Sequence, residues 1–304
     1  MNTGVAVVRK KALIFFNPRN TVNLFCYNQR VKNNTSRIIW IFDVDGVITN
    51  PAEKRVTEKG LIEAIAEKLD KGDVVTLNTG RSISWMTGRV LNPLREAVKD
   101  KGKLDNFLAV GEKGGTWAYF VNNELKTEQD EKIIIPQSLK NTVRNLIQTE
   151  FDNKMFFDDS KLTMLSTEMI DGRSIQEYAV EQSELSKKME EIIKKPEYGC
   201  LGLRIDPTTI AIDIQNSHVG KHFGARRIVN WLVEKGIKPA KIIAVGDSQS
   251  DIEMAEELQG EFNLEFVFVG DKSRLKSDSL VNPPIFTKAR FGEGTLEYLL
   301  KASN

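Results

Sequence analysis

The chain has 304 residues, and its 43 basic and 42 acidic residues almost cancel in charge. With 40% hydrophobic and 28% charged residues, it has the composition of a soluble globular protein with room for two domains. The charge balance argues against a nucleic-acid-binding surface, the two cysteines exclude a disulfide framework, and the apolar runs are too short to span a membrane.

The first 36 residues differ in composition from the rest of the chain. They contain six basic residues and seven asparagines but no acidic residue. A leader of this kind can be an organelle-targeting segment. We favour a poorly ordered extension, or a start codon placed too early, in front of a cytoplasmic protein.

Short apolar runs alternate with helical patterns in two parts of the remaining chain. The runs predict buried strands at residues 38–42, 74–78, 107–110, 242–245 and 266–269. Between the first two runs, residues 57–72 carry apolar side chains at helical spacing and end in a glycine. This alternation predicts an α/β fold with a Rossmann-like parallel-sheet core.

The middle of the chain has a different character. Residues 112–216 contain a polar hairpin pattern, "WAYFVNNELKTE", an amphipathic helix around residues 139–147, and a second helix in "SELSKKMEEIIKK". We therefore predict that residues 37–111 and 217–304 form the core and that residues 112–216 form an inserted α+β domain.

Four polar stretches follow predicted strands or open predicted helices. They are "DVDGV" at residues 43–47, "LNTGRS" at 77–82, "VGKHFGA" at 219–225 and "VGDSQSD" at 245–251. Open α/β sheets bind ligands at the carboxyl ends of their strands, so these stretches are expected to share one edge of the core.

The residue types in these stretches favour phosphoryl-transfer chemistry. Asp43 and Asp45 point to the same side of an extended segment, and Asp247 adds a third carboxylate. Oxygen ligands without histidine or cysteine favour Mg²⁺. Thr79 and Lys221 supply a hydroxyl and a positive charge that can bind phosphate oxygens. Together these groups can neutralise a transferring phosphoryl group.

In this order and spacing, the motifs resemble those of the haloacid dehalogenase superfamily of phosphohydrolases, from about residue 37 to the end of the chain. Only 36 residues separate Asp43 from Thr79, whereas 142 separate Thr79 from Lys221. The long interval resembles the class with a C2 cap, type IIB, which includes Cof-like and sugar-phosphate phosphatases. Ser250 and the segment "GEKGG" depart from the common Cof-like pattern, which bears on the substrate and not on the chemistry.

The resemblance implies a role for each matching residue. Asp43 would be the nucleophile that forms an aspartyl-phosphate, and Asp45 the general acid and base. Thr79, Gly80 and Lys221 would bind the phosphoryl oxygens.

The resemblance also implies the metal ligands. The Asp43 carboxylate, the main-chain carbonyl of Asp45 and Asp247 would bind Mg²⁺. Asp251 would orient Lys221 or a metal-bound water, although it could instead cap the helix that follows.

Two further basic residues have alternative interpretations. Arg81 could bind substrate or form a structural ion pair, and we favour the ion pair. Lys161 could face the site from the insert, but a solvated lysine is the simpler interpretation.

We therefore predict a Mg²⁺-dependent phosphatase that hydrolyses a small phosphorylated metabolite, such as a sugar phosphate, without nucleic-acid or membrane partners. The sequence leaves the oligomeric state open. One alternative is a phosphomutase of the phosphomannomutase type, but residues 112–216 contain only three arginines, Arg144, Arg173 and Arg204, with which to rebind a bisphosphate. A binding protein that has lost turnover is a second alternative, and the intact motifs argue against it.

Overall fold

A computed structural model describes residues 36–302 with the exception of residues 171, 209 and 277. The leader predicted at residues 1–36 lies outside this range, apart from Ser36. Within the described range, none of the helices combines the length and the apolar character needed to cross a bilayer.

The described residues form twelve strands. They are β1 Ser36–Phe42, β2 Val74–Asn78, β3 Phe107–Gly111, β4 Thr116–Val121, β5 Glu124–Gln129, β6 Met155–Phe157, β7 Leu165–Met169, β8 Leu203–Pro207, β9 Ala211–Asn216, β10 Lys238–Gly246, β11 Leu264–Phe268 and β12 Ile285–Phe286. Eight strands make a large sheet in the order β12-β11-β10-β1-β2-β3-β4-β5, in which the first six run parallel. The other four make a small antiparallel sheet in the order β6-β7-β9-β8.

Nine α-helices accompany the strands in the same part of the chain. They are α1 Leu61–Asp70, α2 Ile83–Met86, α3 Asn92–Ala97, α4 Gln137–Glu150, α5 Ile175–Ile193, α6 Pro196–Gly199, α7 Lys221–Lys235, α8 Ser250–Gln259 and α9 Phe291–Lys301. A π-helical turn, Thr87–Leu91, joins α2 to α3, and 3₁₀ turns lie at Lys101–Asn106, Glu112–Gly114 and Lys272–Arg274.

Strand β1 shows why the central strands read as continuous apolar runs. Trp40 and Phe42 pack into the core on the α1 side of the sheet, whereas Ile39 and Ile41 pack into the core on the α7 side. A parallel strand covered on both faces needs apolar side chains at every position. The prediction of an α/β fold built on a parallel sheet is confirmed.

The predicted helices are present with different limits. Helix α1 begins at Leu61, after Gly60 with φ 86°, and not at residue 57. Helix α5 begins at Ile175, well before the predicted segment at residues 183–195. Ser174 caps it, and Glu177 completes a capping box with the Ser174 backbone, a local signal that fixes this helix start.

The predicted hairpin is present, and it pairs with the large sheet. Strand β4 runs antiparallel to β3, and its buried side chains, which include Ala118 and Phe120, join the core under α1. The chain therefore leaves the large sheet only after β5, which ends at Gln129, whereas the predicted insert starts at residue 112. Residues 137–216 have a core of their own between the small sheet and helices α4 and α5. We call residues 137–216 the small-sheet unit.

Candidate active site

The predicted site residues lie at the carboxyl ends of three adjacent strands. Asp43 follows β1, Thr79 follows β2, and Asp247 follows β10. Because β1 lies between β2 and β10 and all three run parallel, their carboxyl ends meet at one edge of the sheet. The order of the strands thus brings together residues that are far apart in sequence.

Three carboxylates form a cluster at this edge. Asp43, Asp247 and Asp251 each offer an oxygen that lies within 4.8 Å of the other two. Burial raises the pKa of Asp43 to about 7 and the pKa of Asp247 to about 8, and the neighbouring carboxylates add to both shifts. The raised pKa values show that these crowded carboxylates resist being ionised together. A hard divalent cation such as Mg²⁺ fits such a cluster, because its charge offsets the repulsion.

Gly46 allows the loop after β1 to approach this cluster. Its φ is +70°, and a Cβ at this position would lie 2.0 Å from Oδ2 of Asp247. A side chain would therefore be strained and would also displace a carboxylate of the cluster.

Replacing Gly46 by Ala should reduce activity strongly. We expect a loss of ~10²-fold or more, because an ångström-scale displacement in a reacting site has effects of that size. Gly60→Ala is a matched control, since Gly60 also has a positive φ, +86°, but a Cβ added there would meet no atom within 4 Å. Steady-state rates and melting temperatures of both variants test this, and equal losses in the two variants would contradict the role of the clash.

Lys221 connects the ends of β1 and β2 with the first turn of α8. Its Nζ lies 2.7 Å from Oδ1 of Asp43 and 2.9 Å from Oδ1 of Asp251, and it donates to the Asn78 carbonyl at 2.8 Å. Burial alone would lower the pKa of Lys221, but Asp251 and Asp43 outweigh it and raise the pKa. The side-chain amide of Asn78 donates in return to the Lys221 carbonyl at 2.8 Å, which holds the start of α7 against β2.

Asp251 contacts Lys221, as the first of its two interpretations predicts, but it does not cap α8, which begins at Ser250 and has no side-chain cap hydrogen bond. Its Oδ1 accepts from Lys221, and its Oδ2 accepts from the backbone N–H groups of Asp247 and Ser248, both at 3.1 Å. The side chain is fully buried. It therefore orders the turn before α8 and orients the ammonium group at the same time.

Thr79 and Gly80 form the turn after β2. The Thr79 N–H donates to the Val110 carbonyl at 3.0 Å, and the Thr79 carbonyl accepts from the N–H of Lys113 at 2.8 Å. The Thr79 hydroxyl oxygen accepts from the N–H of Arg81 at 3.3 Å. The turn is thus fixed to the end of β3, with Gly80 partly exposed beside the Lys113 side chain.

Asp45 is directed away from the carboxylate cluster and towards Arg81. The guanidinium group donates to both carboxylate oxygens, from Nε to Oδ2 at 2.8 Å and from Nη2 to Oδ1 at 3.2 Å. A third donor, Nη1, reaches Glu168 of the small-sheet unit at 3.0 Å. The favoured interpretation of Arg81 as an ion-pair residue fits this geometry, and its partner is itself a predicted site residue.

Two lysines reach the polar face of the small sheet. Lys113 Nζ lies 2.8 Å from Oδ2 of Asp206 and 3.1 Å from Oδ2 of Asp213. The expectation that Lys161 is solvated is wrong: it is buried, and its Nζ donates to Ser166 Oγ at 2.5 Å. Asp213 on β9 lies 3.6 Å from Lys161 Nζ and supplies the negative charge that makes this burial tolerable.

Sequence reasoning missed Glu168, Asp213 and Lys113 as members of this region. The departure "GEKGG" marked the segment that contains Lys113 but not its partners. Glu168 and Asp213 had no sequence signal, because the pairing of β7 with β9 decides which side chains face the large sheet.

Sequence and structure comparisons relate this chain to known phosphatases. The chain matches no family model. A curated phosphoglycolate phosphatase from Methanoculleus marisnigri is 26% identical over 216 residues, which cover 71% of this chain and 79% of the relative.

Two solved structures show the same fold at low sequence identity. The C-terminal domain of Candida albicans trehalose-6-phosphate phosphatase superposes with a TM-score of 0.60 at 15% identity, covering 91% of this chain and 96% of that one. A haloacid dehalogenase-like hydrolase from Bacteroides thetaiotaomicron gives 0.59 at 13% identity, covering 88% and 100%. The chain thus shares the fold of a haloacid dehalogenase-like hydrolase and is similar in sequence to a phosphatase, and both findings support the phosphoric monoester hydrolase expected from the motifs.

Proposed function

We propose that the chain is a Mg²⁺-dependent phosphatase that hydrolyses a small phosphate monoester, such as a sugar phosphate, through an aspartyl-phosphate. The observation that carries this proposal is the position of Asp43, a buried carboxylate that contacts the Lys221 ammonium group and forms one cluster with the carboxylates of Asp247 and Asp251. A carboxylate beside an ammonium group and within a cluster suited to a metal can attack a phosphoryl group whose charge both cations would neutralise.

In the first step, a carboxylate oxygen of Asp43 bonds to phosphorus, and the bond from phosphorus to the leaving oxygen breaks. Oδ1 of Asp43 accepts from the Val44 N–H at 2.7 Å and contacts Lys221, so we assign Oδ2 as the attacking atom. Asp45 donates a proton to the leaving oxygen. Lys221 and the turn formed by Thr79 and Gly80 bind the phosphoryl oxygens.

In the second step, water attacks the phosphorus of the aspartyl-phosphate, and the bond to Asp43 breaks. Asp45, now ionised, takes the proton from this water. A Mg²⁺ ion held by Asp43, the Asp45 carbonyl and Asp247, with Asp251 beside them, would neutralise negative charge on the phosphoryl oxygens. Phosphate is released, and the Asp43 carboxylate and the protonated form of Asp45 are regenerated.

We assign the small-sheet unit as the cap that covers the substrate. Its polar face meets the large sheet through Glu168 and Asp213, which pair with Arg81 and Lys113. Hydroxyl, carboxylate and ammonium groups on this face are suited to a polar leaving group, which supports a small polar metabolite as the substrate.

The phosphomutase alternative has less support. A mutase must rebind a bisphosphate, but Arg144 pairs with Asp159, Arg173 pairs with Glu181 at 2.8 Å, and Arg204 donates to a main-chain carbonyl at 3.0 Å. A screen of phosphorylated metabolites with Mg²⁺ distinguishes the two reactions. Release of inorganic phosphate supports hydrolysis, whereas an isomeric phosphate ester formed without release would support a mutase.

Metal binding should depend on pH in a defined direction. The folded-state pKa values of Asp43 and Asp247 lie above the ordinary aspartate value, so the folded metal-free protein binds more protons than the unfolded chain. Its melting temperature should therefore fall as the pH rises from about 6 to about 8.5, through those raised pKa values. Mg²⁺ competes with these protons, so the increase in melting temperature that it causes should be larger at the higher pH.

Thermal unfolding in EDTA and in Mg²⁺, at about pH 6 and about pH 8.5, measures this effect. Asp247→Asn is the control, and Mg²⁺ should change its melting temperature little at either pH.

Activity should disappear in EDTA and return with Mg²⁺, while Ca²⁺, which prefers a larger and looser coordination shell, should support little turnover. Full activity in EDTA would contradict the metal assignment.

A further inference from the structure

Arg81 is held by three different groups. Its guanidinium donates to both oxygens of Asp45 and to Oε1 of Glu168, and it lies over the ring of Trp85 with 4.6 Å from Cζ to the ring centroid. Both Arg81 and Glu168 are largely buried, with side chains 11% and 7% exposed, while Asp45 is 33% exposed. The orientation of the guanidinium is therefore determined by its surroundings.

The two carboxylates that share Arg81 belong to different parts of the molecule. Asp45 is in the loop after β1 of the large sheet, and Glu168 is on β7 of the small-sheet unit. The guanidinium group of Arg81 is planar and its donor directions are fixed, so the position of one carboxylate constrains the position of the other. A lysine at the same place would lack the paired geometry that fixes how the Asp45 carboxylate is turned.

We infer that Arg81 is a positioning residue that couples the small-sheet unit, through Glu168, to the orientation of Asp45. The inference rests on the proposed role of Asp45 as general acid. With the unit in place, Glu168 keeps the guanidinium fixed while Asp45 passes its proton to the leaving oxygen. When the unit moves away, Arg81 loses one of its two carboxylate partners, and the Asp45 carboxylate is less well oriented.

The leaving group provides the readout. The value of kcat/KM for a series of aryl phosphates reports the step that forms the phosphoenzyme, and a poorer leaving group depends more on the proton from Asp45. Arg81→Gln should lower kcat/KM by ~10²-fold for phenyl phosphate but by less than ~10-fold for 4-nitrophenyl phosphate, because only the former depends strongly on the general acid. Glu168→Gln should act in the same direction with a smaller effect, and Arg81→Lys should fall between wild type and Arg81→Gln.

Combinations of substitutions separate positioning from general structural support. If Arg81 acts through Asp45, Arg81→Gln should cause no further loss in an Asp45→Asn background, and the effects of Arg81→Gln and Glu168→Gln should not add. The matched controls break ion pairs elsewhere. Arg226→Gln breaks the pair with Glu257, and Glu181→Gln breaks the pair with Arg173 in the small-sheet unit. Both controls should leave the dependence on the leaving group unchanged.

Two results would overturn the inference while leaving the proposed function intact. The first is an equal loss of kcat/KM for both aryl phosphates in Arg81→Gln. The second is a loss of kcat/KM that adds to the loss caused by Asp45→Asn. Both apply when the wild-type protein releases phosphate and the Asp43→Asn variant does not. A wild-type protein that hydrolyses no member of the series would overturn the proposed function and the inference together. Circular dichroism and melting temperature confirm that each variant is folded.

Discussion

Asp43→Asn should abolish phosphate release, whereas Asp45→Asn should retain one half of the reaction. The amide that replaces the Asp43 carboxylate cannot attack phosphorus, so no phosphoenzyme should form. In Asp45→Asn the nucleophile remains, but the proton donor for the first step and the base for the second are lost. The missing acid and base contribution is expected to lower the rate by ~10²–10⁴-fold.

The two variants should differ most clearly with 4-nitrophenyl phosphate. Its leaving group needs little help from a proton, so Asp45→Asn should release a burst of nitrophenol and then turn over slowly, because water attack becomes limiting. Asp43→Asn should show no burst. With an alkyl phosphate, whose leaving oxygen needs the proton, both variants should be nearly inactive.

Stopped-flow absorbance and trapping of the phosphoenzyme by acid quench measure these outcomes. Asp251→Asn changes an aspartate of the same cluster to which we assign neither attack nor proton transfer, so it should turn over at a reduced rate without a burst followed by slow turnover. A phosphoenzyme in Asp43→Asn that is absent from Asp45→Asn would mean that the two roles are reversed.

Lys221→Met should reduce both stability and activity. Lys221 is the cation between Asp43 and Asp251, both of which are buried. Removing one partner of a buried ion pair leaves an uncompensated charge, which typically costs ~3–5 kcal/mol in the free energy of unfolding. The phosphoryl oxygens also lose a positive charge, so kcat should fall as strongly as it does after loss of an oxyanion-hole donor, ~10²–10³-fold.

The loss of stability should depend on pH. The pKa of Asp43 is raised in the folded protein, and without Lys221 it should rise further, so Asp43 can take up a proton and relieve its unpaired charge near pH 6 more readily than at higher pH. Urea unfolding of metal-free Lys221→Met should therefore give a larger loss at about pH 8.5 than at about pH 6.

Lys241→Met is the matched control for Lys221→Met. Lys241 pairs with Glu265 at 2.8 Å on the large sheet, but its side chain is 34% exposed, so the loss should be below ~1 kcal/mol and nearly independent of pH. A similar, pH-independent loss in both variants would contradict the role given to the charges around Lys221.

The spacing of apolar residues within short stretches of the sequence predicted the strands of the parallel core. Apolar runs such as residues 38–42 and 74–78 are strands because a parallel sheet covered on both faces needs continuous apolar side chains. Element limits were less well predicted where a cap or a turn decides them. The start of α5 at Ile175, after its capping box, is one example.

Sequence alone also predicted that the motif residues would lie close together. Asp43, Thr79 and Asp247 each follow a strand of one parallel sheet, and parallel strands end at a common edge whatever the details of packing. Residue type and position relative to a strand were therefore sufficient to place these groups. The same argument does not extend to Asp45, because a loop residue can turn either to the carboxylate cluster or to a neighbouring cation.

Only the tertiary structure decided which partners the polar residues of the loops and the small sheet have. Arg81 and Glu168 are 87 residues apart, and Lys113 and Asp213 are 100 apart, so no local pattern joins them. Their contacts depend on how the small sheet lies over the large one and on which face of each strand the register exposes, since a shift of one residue would turn every side chain to the other face. The burial of Lys161 follows from the same geometry, because the carboxylate of Asp213 reaches it from a strand more than fifty positions further along the chain.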